Sequence, residues 1–223
     1  MNGIVIAIDG PSGSGKSTVS RAVAQQLKLQ YLDTGAMYRA FAWWVLDQGQ
    51  DPENAEKVGE LADHFPLRMV CDPKAPAVVV NNQDITQAIR QPEVTMAAST
   101  VSAYPKVRHT LIALQRKYIE VGKKNRGIVA EGRDITSVVA PQAPVRILLT
   151  ASAAARLARR SKQTGERDQA VLKRTVVTRD QQDARTTSFM EPGEGVHLLD
   201  STALTLEAVI AKVISWVEEE TQQ

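Results

Sequence analysis

A glycine-rich segment between an apolar run and a helical pattern is the feature that most constrains this chain. Residues 10–17 are GPSGSGKS and follow the strand-like run Ile4–Ile8. They fit the pattern G-x-x-x-x-G-K-[ST] at every fixed position, and the strand and helix on either side supply the context that this pattern requires. Glycines let backbone N–H groups converge on phosphate oxygens, and the helix N-terminus adds partial positive charge. The segment therefore predicts a binding site for nucleotide phosphates.

The side chains of this loop predict how the phosphates are held. We expect Lys16 to reach the β- and γ-phosphates and the Ser17 hydroxyl to ligate Mg²⁺. The pattern alone predicts a phosphate site and does not specify a reaction. The phosphate contacts predicted from the loop are Gly10, Pro11, Ser12, Gly13, Ser14, Gly15, Lys16, Ser17 and Thr18.

Short apolar runs alternate with longer amphipathic ones along the rest of the chain. Continuous apolar runs such as residues 146–149 indicate strands buried on both faces, as in a parallel sheet covered by helices. We therefore expect an α/β fold with a five-stranded, doubly wound parallel sheet and ligands at the carboxyl ends of its strands. The predicted strands are Ile4–Ile8, Tyr31–Leu32, Gly127–Ala130, Val145–Thr150 and His197–Leu199. The predicted helices are Lys16–Leu29, Ala36–Leu46, Lys106–Val121, Ala153–Gln163 and Leu206–Glu219.

Two regions interrupt this alternation. Residues 67–82 contain two β-rich runs joined by a proline-containing turn, which predicts a small inserted antiparallel element. Residues 156–185 hold nine basic and four acidic side chains, a pattern equally typical of a solvated helix face and of a basic lid over phosphates. We expect a single domain over 1–223. Its predicted core is 1–62, 100–152 and 187–223, with an insertion at 63–99 and a helical lid at 153–186.

Composition narrows the class of protein. With 27 basic and 25 acidic residues the net charge is only +2, which argues against a nucleic-acid binder. No run approaches the length of a membrane span, and the start of the sequence lacks the features of a signal peptide. The single cysteine, Cys71, cannot form an internal disulfide and fits a reducing compartment. These observations predict a cytoplasmic protein without nucleic-acid or membrane partners, and we expect a monomer.

Further motifs follow the phosphate loop in a recognisable order. They are LDTGAMYR at 32–39, PxVR at 105–108, EGRD at 131–134 and RDxxD at 179–183. With GPSGSGKST and the β-rich insertion, this set resembles bacterial-type cytidylate kinase over nearly the whole chain. The resemblance implies a P-loop kinase fold and transfer of the γ-phosphoryl group of ATP–Mg²⁺ to CMP, with dCMP accepted and UMP disfavoured. It also implies that the insertion at 63–99 binds the nucleoside monophosphate.

The resemblance also implies roles for individual side chains. Thr34, Ser99, Arg108 and Asp134 correspond to the family's nucleobase site, and Asp183 to the carboxylate that binds the acceptor ribose. Arg39, Arg133 and Arg179 correspond to arginines around the acceptor phosphate and the transferred group. We also assign Arg156 and Arg160 to the ATP phosphates and expect Asp33 to act on a magnesium-bound water, although it could serve only as a helix cap. The predicted catalytic residues are Lys16, Arg133, Arg179 and Asp33.

This chain departs from the family pattern at two places. The family has a glycine two residues after the Gly-Arg-Asp aspartate, where this chain has Ile135-Thr136. The family's last arginine stands further from the RDxxD motif than Arg185, which lies two residues after Asp183. We assign Arg185 to the CMP site on the expectation that it takes the place of that arginine.

Two other functions share the phosphate loop. A kinase for another nucleotide or small metabolite would have the loop without needing EGRD and RDxxD. A GTP-dependent switch would need a base-reading [NT]-K-x-D element and a D-x-x-G switch, and the sequence contains neither. The motifs therefore favour the CMP kinase over both alternatives.

Overall fold

A computed structural model describes residues 3–165, 168, 180, 189 and 191–221. Five parallel strands form the main sheet in the order β2-β6-β1-β7-β8, which confirms the predicted α/β class. These strands are β1 (Val5–Asp9), β2 (Gln30–Asp33), β6 (Ile128–Gly132), β7 (Val145–Thr150) and β8 (His197–Asp200). All five predicted strands are present. β1 extends beyond its predicted end to Asp9, immediately before the phosphate loop.

Helices cover both faces of this sheet, as the buried apolar strands require. One face packs against α1 (Lys16–Gln26) and α7 (Leu206–Thr221), with Val23 and Val213 fully buried between them. The other face packs against α5 (Pro105–Asn125). The remaining described helices are α2 (Thr34–Asp47), α3 (Ala55–Ala62), α4 (Pro92–Val101) and α6 (Ala153–Thr164).

Helices α3 and α4 were not predicted, because the first is short and the second begins inside the region expected to be an insertion. Asn54 caps α3 by accepting a hydrogen bond from the Lys57 amide at 3.1 Å, and Pro92 occupies the first turn of α4. Both are ordinary helix-start signals. Helices α2 and α4 pack around Phe41, which is fully buried in the core beside the main sheet.

The predicted antiparallel element is present with one strand more than expected. Strands β3 (Leu67–Val70), β4 (Ala77–Val80) and β5 (Gln83–Asp84) form a separate antiparallel sheet. Asn81 and Asn82, with φ of 49° and 65°, make the tight turn between β4 and β5, and asparagine tolerates this left-handed conformation well.

The small sheet is attached to the main domain by hydrogen bonds near its first turn. The Tyr31 amide donates to the Cys71 carbonyl at 2.9 Å. Arg21 Nε and Gln25 Nε2, both on α1, donate to the Pro73 carbonyl at 3.3 and 2.8 Å. These contacts place the small sheet against the helix that follows the phosphate loop. Within the residues described, no helix combines the length and apolar character needed to cross a membrane.

Candidate active site

A cleft of about 690 Å³ lies at the carboxyl ends of β1, β2 and β6. This is the edge at which parallel α/β sheets bind ligands. The cleft extends from the phosphate loop to the small sheet and to α4, so residues far apart in sequence share one surface. The predicted site residues that line it are Ser12, Gly13, Lys16, Ser17, Thr18, Asp33, Thr34, Arg39, Ser99, Arg108, Arg133, Asp134 and Arg160.

The other predicted residues fall into two groups. Gly10, Pro11, Ser14, Gly15 and Arg156 do not line this cleft, although four of them belong to the phosphate loop and support its curvature. Arg179, Asp183 and Arg185 lie outside the described residues, as does most of the segment predicted to form a lid. Their assigned roles therefore stay predictions.

The phosphate loop curves around the N-terminus of α1, which begins at Lys16. Gly13 has a φ of +77°, and a Cβ there would lie 2.8 Å from the Arg156 carbonyl oxygen. Only glycine fits this position without displacing the backbone of α6. Lys16 Nζ donates to the Pro11 carbonyl at 3.3 Å, so its ammonium group lies over the loop. This arrangement directs a cation and backbone amides toward one anion-binding space.

The sequence analysis overlooked Glu131, the acidic residue near the end of β6. Its carboxylate is buried at the floor of the cleft, where Tyr31 Oη donates to Oε1 at 2.5 Å. Oε2 is buried without a hydrogen-bond partner among the residues described. Burial and the nearby Asp33 carboxylate raise the pKa of Glu131, and Lys16 and Ser17 oppose this shift. Its place at the end of an apolar strand beside β1 was the signal that could have identified it.

Three oxygen-bearing side chains in this part of the cleft are suitable ligands for a hard divalent cation. They are the unpaired Oε2 of Glu131, the Ser17 hydroxyl and the Asp33 carboxylate, all lining the same cleft. Mg²⁺ prefers carboxylate, hydroxyl and water oxygens and is commonly held by one or two carboxylates together with substrate phosphates. The residues present therefore fit a magnesium ion bound with a nucleotide.

Asp33 has a structural role as well as a position in the cleft. Its Oδ1 accepts from the Ala36 amide at 2.8 Å and caps α2, as the alternative interpretation of this residue predicted. Its Oδ2 accepts from Arg39 Nη2 at 3.1 Å. Asp33 is the N-cap of α2, and Arg39 lies in the second turn of the same helix. The ion pair between them therefore holds the Arg39 guanidinium beside the cleft that both residues line.

Arg108 and Asp134 meet across the cleft from different elements. Arg108 lies in the first turn of α5, and its Nη2 donates to Asp134 Oδ2 at 2.6 Å. The Asp134 side chain is only 5% exposed and that of Arg108 18%. Ser99 on α4 lines the same cleft. The Thr34 hydroxyl donates to the Glu131 carbonyl at 2.7 Å, so its hydrogen is already engaged. A charged hydrogen-bond acceptor, the Asp134 carboxylate, thus lies beside a charged donor, the Arg108 guanidinium.

Asp180 is a second residue that the sequence analysis did not assign. Its Oδ1 accepts from Arg133 Nη1 at 2.6 Å and from the Ser12 amide at 2.9 Å. Its Oδ2 accepts from Arg156 Nη1, which also donates to the Ser12 carbonyl. Arg133 lies 4.4 Å from the centroid of the Phe189 ring, a cation–π distance. The Asp180 carboxylate therefore lies between the Arg133 and Arg156 guanidinium groups and the Ser12 amide of the phosphate loop.

The cleft concentrates positive charge. Arg160 on α6 faces it, and burial together with Arg39 and Arg90 lowers the pKa of the Arg160 guanidinium. Arg90, in the short 3₁₀ turn Ala88–Arg90, lines the cleft and was not predicted. Arginines this close repel one another, and polyanions relieve that repulsion. With Lys16 and Arg133, the surface suits phosphate groups in the acceptor and donor.

Comparisons with known proteins agree with this site. The family model described as cytidylate kinase matches residues 6–219. A curated cytidylate kinase of Streptomyces griseus subsp. griseus is 44% identical over 216 residues, covering 96% of this chain and 93% of that protein. One of Cutibacterium acnes is 44% identical over 216 residues, covering 96% of each.

A solved structure supports the fold alone. An uncharacterized protein from Eubacterium ventriosum aligns with a TM-score of 0.53 at 10% identity, covering 96% of this chain and 98% of that one. The family assignment therefore depends on the sequence comparisons, and it agrees with the cleft that the structure forms. On this evidence the chain belongs to the cytidylate kinase family.

Proposed function

We propose that this protein transfers the γ-phosphoryl group of ATP to CMP and dCMP, giving ADP and the corresponding nucleoside diphosphate. One observation carries the proposal: a single cleft joins the phosphate loop to the Arg108–Asp134 pair. The loop supplies a donor site, and the pair supplies polar groups suited to a pyrimidine. The relatives named cytidylate kinase support the same reaction.

Binding of the phosphoryl donor would depend on positively charged groups that the fold already positions in the free protein. Backbone amides of the loop and the Lys16 ammonium would hold the β- and γ-phosphates, with Arg160 contributing from α6. Ser17, Glu131 and Asp33 would hold Mg²⁺ with their oxygen atoms. When bound, the ion neutralises charge on the phosphates. Phosphoryl transfer needs little more than positioning and electrostatic stabilisation, which these residues provide.

The acceptor half depends on base recognition and on arginines near the transferred group. Cytosine offers an amino donor at N4 beside an acceptor at N3, and uracil reverses both. Asp134 can accept from the amino group while Arg108 donates to N3 or O2. Arg39 and Arg133 would bind the acceptor phosphate, since planar guanidinium groups grip phosphate through paired hydrogen bonds. The proposal also retains three predicted roles: Arg179 near the acceptor phosphate and the transferred group, Asp183 at the acceptor ribose, and Arg185 at the CMP site.

Replacing Asp134 with asparagine is expected to lower the ratio of kcat/KM for CMP to that for UMP. The asparagine amide can donate to uracil O4, whereas the carboxylate would face that oxygen as a second acceptor with no hydrogen between them. We expect a loss of about 30-fold, or roughly 2 kcal/mol, mainly through poorer use of CMP. The KM for ATP should hardly change. Initial rates with both acceptors measure the effect.

Asp63→Asn is a matched control, because Asp63 is an exposed carboxylate that also pairs with a basic side chain, Lys106, at 2.8 Å. It should leave the CMP to UMP ratio unchanged. If Asp134→Asn keeps the full preference for CMP, Asp134 does not recognise the base, and this part of the proposal is wrong.

A further inference from the structure

The carboxylate of Asp9 is buried between the end of β1 and the turn that follows Arg133-Asp134. Asp9 ends β1 and is followed directly by the phosphate loop, and in the sheet it pairs with Gly132 of β6. Its side chain is almost completely buried, with the residue only 2% exposed. Neither the sequence motifs nor the proposed reaction uses this group. A buried carboxylate needs hydrogen-bond donors, and their source is informative here.

Within the residues described, the three donors to this carboxylate come from the turn that follows Arg133-Asp134. Asp9 Oδ1 accepts from the Ile135 amide at 3.0 Å, and Oδ2 accepts from the Thr136 amide at 2.8 Å. The Thr136 hydroxyl adds a third bond to Oδ2 at 2.7 Å. Burial raises the pKa of Asp9 to about 6, whereas these donors favour its charged form. The turn is therefore fastened to the end of β1 by one buried acceptor.

This turn also fixes the backbone of Asp134. Residues Ile135–Val139 form a π-helical turn, and the Asp134 carbonyl accepts from the amides of Val138 and Val139 at 2.9 and 3.0 Å. The Asp134 side chain is held separately by Arg108. The direction of the Asp134 carboxylate thus depends on two anchors, one at Arg108 and one at the first residues of the π-helical turn.

We infer that Asp9 and Thr136 are positioning residues that set the place of Asp134, and with it the selectivity for the acceptor base. The inference rests on the proposed function, since it concerns how that site distinguishes CMP from UMP. Thr136 contributes a hydroxyl that neither valine nor alanine supplies, and hydrogen bonds to charged groups are among the stronger ones. Removing it should loosen the turn while leaving the phosphate loop intact.

The test replaces Thr136 with valine, which keeps the shape of the side chain and removes the hydroxyl. We expect the KM for CMP to rise about tenfold and the CMP to UMP ratio in kcat/KM to fall about fivefold, with the KM for ATP changed less than about twofold. Thr136→Ser retains a hydroxyl and should restore most of both losses. Thermal unfolding of each variant measures the effect on stability separately.

Two results would overturn the inference. One is a Thr136→Val protein of lowered stability whose KM for CMP and base preference match the wild type, because Thr136 would then only fill space. The other is an equal rise in the KM values for ATP and CMP, since the effect would not be specific to the acceptor. If valine prevents folding, Thr136→Ala is measured against the same two results. A wild-type protein that does not prefer CMP to UMP instead refutes the proposed function.

Discussion

Replacing Lys16 with alanine is expected to lower kcat by about 10³-fold or more, which corresponds to roughly 4 kcal/mol of transition-state stabilisation. The Lys16 ammonium group lies over the phosphate loop, with Nζ 3.3 Å from the Pro11 carbonyl. In this position it would stabilise the negative charge of the bound phosphates. Its removal takes away this charge stabilisation without opening the apolar core. Single-turnover rates at saturating ATP–Mg²⁺ and CMP measure the loss directly.

The matched control for this change is Lys124→Ala, at an exposed position near the end of α5. It should leave kcat unchanged, and both variants should unfold at nearly the wild-type temperature. Turnover of Lys16→Ala close to that of the wild type would contradict the phosphate-loop assignment on which the proposed mechanism depends.

Replacing Arg133 with alanine is the second change for which we expect a large loss, about 10²- to 10³-fold in kcat. Arg133 directly follows β6 and lines the cleft. Asp180 accepts hydrogen bonds from both Arg133 and the Ser12 amide, which places Arg133 close to the phosphate loop. Arg133→Lys should recover little, because lysine lacks the planar pair of donors that matches a phosphate. Rates for CMP phosphorylation by the three proteins measure both effects.

Arg126→Ala, at an exposed arginine that directly follows α5, provides the control for Arg133 and should retain full activity. Thermal unfolding distinguishes a catalytic loss from a structural one, because Arg133 also contacts Asp180 and the Phe189 ring. If Arg133→Ala lost stability but kept its kcat, the role of Arg133 would be to hold those neighbours in place.

Local patterns in the sequence predicted the main sheet and the phosphate loop. Apolar runs of strand length predicted all five parallel strands, and the glycine pattern placed Lys16 at the start of a helix. The small sheet followed from its β-rich runs and turn residues. The resemblance to cytidylate kinases brought Arg108 and Asp134 into one site, a contact between α5 and the end of β6 that periodicity alone could not predict.

What the sequence did not predict depends on burial and on side-chain geometry. Glu131 and Asp180 stand inside motifs of the sequence and Asp9 directly precedes the phosphate loop, but the contacts of their carboxylates depend on how the fold buries them. The role of Thr136 also depends on contact with Asp9, 127 positions away in the chain. Single-sequence patterns carry no information about contacts between such distant residues.

The most direct test of the central proposal is a titration of CMP, dCMP, UMP and AMP as acceptors at saturating ATP–Mg²⁺. A coupled assay for ADP formation gives kcat/KM for each acceptor under identical conditions. The proposal predicts that CMP and dCMP are used well and that UMP is at least about tenfold poorer, because uracil reverses the donor and acceptor that the Arg108–Asp134 pair would recognise in cytosine. AMP should also be used poorly, because adenine, although it has an amino donor beside a ring acceptor, is a larger purine without the O2 acceptor of cytosine. Equal or better use of UMP or AMP, or no transfer to CMP, would contradict it.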